Sequence, residues 1–174
     1  MFPPSACARS FEANAARACW CETSHQRLFS VVMADMQRPS LPIEALDHVA
    51  LTVRDPELSM AWYQRVLGFA EARMEGLQQG PPFLLRVSPG NYLNLFPADS
   101  ADPSGVPDHN SIAMRHVAFR VSYGALAEVE SYLRNLGEAV TGFDYGPRCR
   151  ALFISDPDGH QLELIGYADG VFTA

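Results

Sequence analysis

The sequence predicts an α+β fold built from two similar halves, each a strand, a helix and further strands. Three observations carry this. His48-Val49-Ala50-Leu51-Thr52-Val53 and His116-Val117-Ala118-Phe119-Arg120-Val121 agree at four of six positions and start 68 residues apart. Each is followed by a helical pattern that ends in Leu-Gly, at Leu67-Gly68 and Leu136-Gly137. Those glycines stand 69 apart and suit the left-handed cap that closes a helix. Residues 92–96 and 161–165 are alternating strands, again 69 apart. Matched elements at one long spacing mark an internal duplication.

Composition bounds the rest. The chain has 174 residues, 48% hydrophobic and 19% charged, which is enough for one globular domain made of two halves. A net charge of −7 argues against nucleic acid or an anionic membrane as partner. No apolar run reaches the length of a membrane span. All 13 basic residues are arginine, so Schiff-base and lysine-base chemistry are excluded. Of the four cysteines, Cys7, Cys19 and Cys21 precede the repeat and Cys149 lies within it. Cys19-Trp20-Cys21 lacks the two-residue spacer of a zinc or redox pair. With no continuous apolar leader, free thiols in a cytoplasmic protein are expected.

Residues 1–42 have no counterpart in the repeat and are expected to form a poorly ordered or arm-like extension; Met33 and Met36 leave a later natural start open. The repeat then occupies residues 43–170, as module one (43–97), a linker (98–113) rich in Asp, Pro, Ser and Gly, and module two (114–170). In module one, Asp55-Pro56 supplies an N-cap carboxylate and a first-turn proline. Met60, Tyr63, Val66 and Leu67 then make an apolar stripe. Residues 83–87 and 91–96 form a hairpin around Ser88-Pro89-Gly90-Asn91, with Arg86 read as an exposed charge. In module two, Leu126, Val129, Leu133 and Leu136 face inward from the helix. Residues 142–150 read as a loop into a strand over 151–154, with Tyr145 and Arg150 flanking it. Asp156-Pro157-Asp158-Gly159 has the chemistry of a type I turn.

The two-residue period of the strands sorts the candidate functional residues. Val49, Leu51 and Val53 share one face, as do Val117, Phe119 and Val121. His48 and His116 fall on the opposite faces. Asn94 and Glu163 are the matching polar positions of the later strands. A lone strand histidine is ordinarily just hydrogen-bonded. Two at equivalent repeat positions, with a carboxylate in phase, make the donor set of a divalent metal that keeps coordination positions free for substrate. Asn94 is a candidate fourth ligand. His160 is out of phase with Glu163 and is placed outside the site. Arg120 shares the His116 face and could pair with an anionic group.

Four motifs resemble those of the vicinal oxygen chelate superfamily of glyoxalases, bleomycin resistance proteins and extradiol dioxygenases. They are Leu46-Asp47-His48-Val49-Ala50-Leu51, Trp62-Tyr63-Gln64-Arg65-Val66-Leu67-Gly68-Phe69, Arg115-His116-Val117-Ala118-Phe119-Arg120-Val121, and Asp156-Pro157-Asp158-Gly159-His160-Gln161-Leu162-Glu163-Leu164. The resemblance implies paired βαβββ modules whose curved mixed sheet encloses a metal-centred cup, with helices outside. It implies His48, His116 and Glu163 as ligands of a divalent ion (Fe, Mn, Zn, Ni or Co), Asn94 at the fourth position, and Glu163 doubling as a catalytic base. It also implies a homodimer that takes a small-molecule substrate. Arg120, Phe153 and Arg150 are candidate substrate contacts, with a salt bridge to an acidic neighbour as the alternative for Arg120 and an exposed loop position as the alternative for Arg150.

Departures from the subfamilies narrow the activity. Asn94 is shorter than the Glu or Gln of glyoxalase I. Phe153 stands where extradiol dioxygenases and fosfomycin-resistance enzymes carry Tyr, and Asp144 stands where the dioxygenases carry a catalytic His. The expected function is a metal-dependent lyase or isomerase, or an Fe(II) ring-cleaving dioxygenase. The alternative is a non-catalytic, antibiotic-sequestering binder of the bleomycin-resistance type.

Overall fold

The structure, a computed structural model, describes residues 41–76 and 80–172; the expected N-terminal extension lies almost wholly outside them. Residues 41–45 belong to a separate unit, Met1–Ala45, and have no regular secondary structure. The second unit, Leu46–Ala174, holds the repeat.

The elements alternate as the duplication requires. Module one contains β1 (His48–Val53), α1 (Pro56–Leu67), β2 (Ala70–Ala72), β3 (Phe83–Ser88) and β4 (Asn91–Pro97). Module two contains β5 (Val117–Arg120), a 3-10 turn (Tyr123–Ala125), α2 (Leu126–Asn135), β6 (Thr141–Asp144), β7 (Cys149–Ser155) and β8 (Gln161–Tyr167). Each module is one four-stranded mixed sheet, in the orders β1-β4-β3-β2 and β5-β8-β7-β6. The first strand pairs parallel with the last, and the other pairings are antiparallel. The fold is therefore α+β with two βαβββ modules, as expected. The two sheets remain separate within the chain, and β1 and β5 each end a sheet with one edge unpaired.

Local chemistry accounts for the element ends. Asp55 caps α1, its carboxylate accepting from the Glu57 and Leu58 amides at 3.0 and 3.1 Å. Gly68 closes the same helix at φ 70°, in the left-handed region, where a side chain would be strained. One mismatch with the sequence reading is β6. Thr141–Asp144 is a strand and β7 begins at Cys149, where a loop was expected. All four β6 residues are exposed and one is glycine, so neither burial periodicity nor propensity announces the strand.

The core is continuous across both modules. Leu51, Val53, Tyr63 and Val66 from module one join Leu126, Leu133, Leu152 and Leu162 from module two. Polar ties cross the same seam. Tyr63 donates its hydroxyl to buried Asp156 at 2.9 Å, Trp62 donates Nε1 to Glu138 at 3.2 Å, and Arg54 reaches Asp158 at 3.0 Å. Gly166 on β8 permits the closest approach, since a Cβ there would sit 2.8 Å from Tyr123 Cα and 2.9 Å from Leu126 Cδ1. Gly166→Ala is expected to destabilise the fold by about 1–3 kcal/mol through overpacking. A lowered denaturant midpoint would show this; an unchanged midpoint would mean that the 3-10 turn shifts freely.

Candidate metal centre

The strand periodicity holds. In β1, Leu51 and Val53 are buried while His48, Ala50 and Thr52 are exposed. In β5, Val117 and Phe119 turn inward while Ala118 and Arg120 are exposed. Register then fixes the neighbours. Asn94 lies beside Ala50 on β1 and Leu84 on β3. Glu163 lies beside Ala118 on β5 and Phe153 on β7. The small Ala50 and Ala118 are equivalent in the two modules and leave room above the two polar groups.

Module two brings three of the expected site residues together. His116 Nε2 stands 2.9 Å from Glu163 Oε2. The Phe153 ring meets the His116 ring edge-on, with centroids 5.8 Å apart. Glu163 is 4% exposed, and its second oxygen, Oε1, has no hydrogen-bond partner; nor does His116 Nδ1. A buried carboxylate oxygen without a donor is costly, and a cation is the natural partner for it. The Tyr145 phenol is pushed above the ordinary value, first by burial and then by the negative charge of Glu163. Tyr145, His109 and Arg115 line the same 470 Å³ cavity as His116. Tyr145 flanks the loop that the sequence predicts, and His109 lies in the predicted linker. The signal available was the two-residue step from Phe143 to Tyr145, whose rings meet at a 60° tilt with centroids 4.6 Å apart.

Module one holds the matching half. His48 and Asn94 line a second cavity of 490 Å³. His48 Nδ1 contacts Asp47 Oδ2 at 2.7 Å. Asn94 is 7% exposed and its Oδ1 is likewise without a partner. Unpartnered acceptors therefore occur at the same position of both repeats. His48 is not brought to His116 and Glu163 within the chain, for among the described residues no three His, Cys, Asp or Glu side chains are grouped to hold a metal ion. The donor types fit a divalent ion: imidazole nitrogens, a buried carboxylate with a free oxygen, and a neutral amide oxygen.

Two other expected contacts separate. Arg120 lies on the Glu163 face of its strand, stacked over the Tyr167 ring at 4.1 Å, and makes no ion pair among the described residues. Arg150 sits on the opposite face, in phase with Leu152 and Ile154 of the core. Its guanidinium reaches Glu130 on α2 at 2.7 Å and Asp144 at 3.5 Å. That position ties α2 to the sheet and leaves Arg150 away from the cup. His160, excluded from the site on phase, donates instead to the turn carboxylate, with Nδ1 2.9 Å from Asp156 Oδ2.

A family model described as the Glyoxalase/Bleomycin resistance protein/Dioxygenase superfamily matches residues 45–164. Glyoxylase I 4 of Arabidopsis thaliana is 29% identical over 135 residues, covering 71% of each chain. A glyoxylase/bleomycin resistance protein/dioxygenase domain from Frankia sp. EAN1pec superposes with a TM-score of 0.61 at 26% identity, covering 74% of this chain and 95% of that one. Lactoylglutathione lyase from Agrobacterium tumefaciens shares the fold, with a TM-score of 0.57 at 21% identity over 76% of this chain and all (100%) of that one.

Proposed function

The chain belongs to the Glyoxalase/Bleomycin resistance protein/Dioxygenase superfamily, and from that premise we propose that it is a divalent-metal-dependent enzyme acting on a small, oxygen-chelating molecule. The observation that carries this reading is the His116–Glu163 pair, with Glu163 Oε1 buried and unpartnered. His48, His116 and Glu163 would hold the ion (Fe, Mn, Zn, Ni or Co), with Asn94 as the fourth position. His116 lines one cavity of the chain, and His48 and Asn94 line another. A homodimer that sets module one of one chain against module two of the other would unite them. The open edges of β1 and β5 support such pairing, because an unpaired edge offers backbone groups to a second chain.

When bound, the metal supplies a Lewis acid that chelates substrate oxygens and stabilises negative charge developing on them. The residues do the rest. Glu163 Oε1 is the atom placed to take a proton from the substrate. Phe153, against the His116 ring, closes one wall and keeps water from it. Arg120 is held over the Tyr167 ring, outside the 470 Å³ cavity of His116 and the 490 Å³ cavity of His48 and Asn94. Phe153 brings no hydroxyl for an acid–base step, which favours a lyase or isomerase over ring cleavage. The names of the glyoxalase-type relatives agree with that choice.

Elemental analysis of protein purified without chelator tests the proposal. One divalent ion per chain is expected, together with no oxygen uptake on a catechol panel. Protein that contains no metal and regains none on soaking would point instead to a sequestering binder. Oxygen uptake would move the reaction to the dioxygenase class.

A further inference from the structure

One charged group in the module-one cup has no partner. The strand register places Ala70, Arg86, Tyr92 and His48 in a single row across β2, β3, β4 and β1. Residues directly opposite in register share a face of the sheet, so Arg86 projects into the cup that holds His48. Two strand spacings, about 10 Å between backbones, separate the two residues. The other charges of the cavity are matched. Asp47 contacts His48 at 2.7 Å and Arg73 contacts Glu71 at 3.3 Å. Arg86 is exposed and takes part in no ion pair among the described residues. A second feature points into the same space: Asn94 lines this cavity, is 93% buried by its 7% exposure, and has an unpartnered Oδ1.

We infer that Arg86 is a specificity residue that binds an anionic group of the substrate, so that the substrate class is a small organic acid with metal-chelating oxygens at one end and a carboxylate or phosphate at the other. The inference rests on the proposed metal site, for the chelating end is placed at His48. The guanidinium fork matches both oxyanions in geometry. Tyr92 lies between Arg86 and His48 and gives the body of such a molecule an aromatic surface. Arg86 has no equivalent in module two, where the corresponding residue is Ser155, six before Gln161 as Arg86 is six before Tyr92. That row is thus charged in module one only.

Calorimetric titration of the purified protein with three probes tests this. The probes are catechol, 3,4-dihydroxybenzoate and 3,4-dihydroxyphenylphosphonate, which share the chelating end and differ in the arm. Both acids are expected to bind about tenfold more tightly than catechol, a difference of one decade in Kd. Whichever acid gains more identifies the natural group as carboxylate or phosphate. Arg86→Gln is expected to erase the preference while catechol binding stays as in wild type, and Arg86→Lys to keep part of it. Thermal denaturation of each variant confirms that it folds. Equal affinity of the wild type for catechol and the acids would overturn the inference. So would an acid preference that survives Arg86→Gln or is lost in Arg120→Gln instead. Metal content measured on the same samples separates the two ideas: acid preference lost with Arg86 in a protein that holds no metal keeps the anion site and rejects the metal enzyme.

Discussion

His116→Ala is expected to abolish metal binding. The loss should exceed the roughly 10–100-fold in affinity that removing a mere supporting residue costs. The reason is local. Glu163 is 4% exposed and its one close partner is His116 Nε2 at 2.9 Å. Deleting the imidazole removes a proposed ligand and also leaves the carboxylate buried without its neighbour. Glu163→Gln should act in the same direction, since an amide keeps the shape but not the charge. His160→Ala is the control, because His160 bonds to Asp156 on the other side of the turn and should leave metal content intact. Elemental analysis of the three variants reads the result, and full metal retention by His116→Ala would remove His116 from the ligand set.

The second large effect is on stability. Asp156 sits at the start of the Asp156-Pro157-Asp158-Gly159 turn and is 5% exposed. It accepts from Tyr63 OH at 2.9 Å, from His160 Nδ1 at 2.9 Å, and from the Asp158 and His160 amides at 3.0 and 2.8 Å. The Gly159 amide closes the turn on the Asp156 carbonyl at 3.0 Å. Asp156→Ala strands four donors and cuts the tie from α1 to module two, so a loss of about 3 kcal/mol is expected. Tyr63→Phe removes one of those bonds and should cost about 1 kcal/mol.

The same carboxylate sets a pH dependence. Burial alone would raise its pKa, but the hydrogen bond and charge of His160, its amide and the Tyr63 hydroxyl outweigh that, and the value is held below the usual carboxylate range. The Tyr63 phenol is driven the other way, up, by burial first and by Asp156 second. A carboxyl whose folded pKa is depressed stabilises the fold above its unfolded value, about 3.9, and loses that contribution as pH falls through the folded one. Denaturation midpoints of the wild type should therefore fall on acidification into that window. The fall should be shallower in Asp156→Asn. Parallel acid limbs would show that other carboxylates carry the effect.

Much of this was legible in the sequence because a duplication repeats its own evidence. The matched His-Val-Ala strands, the paired Leu-Gly helix ends and the equivalent Asn94 and Glu163 gave two modules and the face on which each candidate ligand stands. A period of two assigns faces without any knowledge of partners. What periodicity could not supply is what depends on pairing. Arg150 was read as a loop residue beside a strand starting at Ala151. Since β7 begins two residues earlier, Arg150 falls in phase with Leu152 and turns towards α2. Arg86 was read correctly as exposed, but its row with Tyr92 and His48 depends on a register that includes an irregularity between Arg86 and Ser88. Nor could sequence show that the β1 and β5 edges stay apart within one chain, because no local pattern encodes how two finished sheets meet.

That separation makes the proposed centre testable by subunit mixing. If each ion is held by His48 of one chain and by His116 and Glu163 of the other, a mixed dimer of His48→Ala and His116→Ala chains contains one intact site and one doubly broken site. Isolated with two different affinity tags and assayed for metal, it should hold one divalent ion per dimer, while each variant homodimer holds none. A mixed dimer as empty as the two homodimers, beside wild-type protein carrying its full complement, would contradict a centre shared between chains.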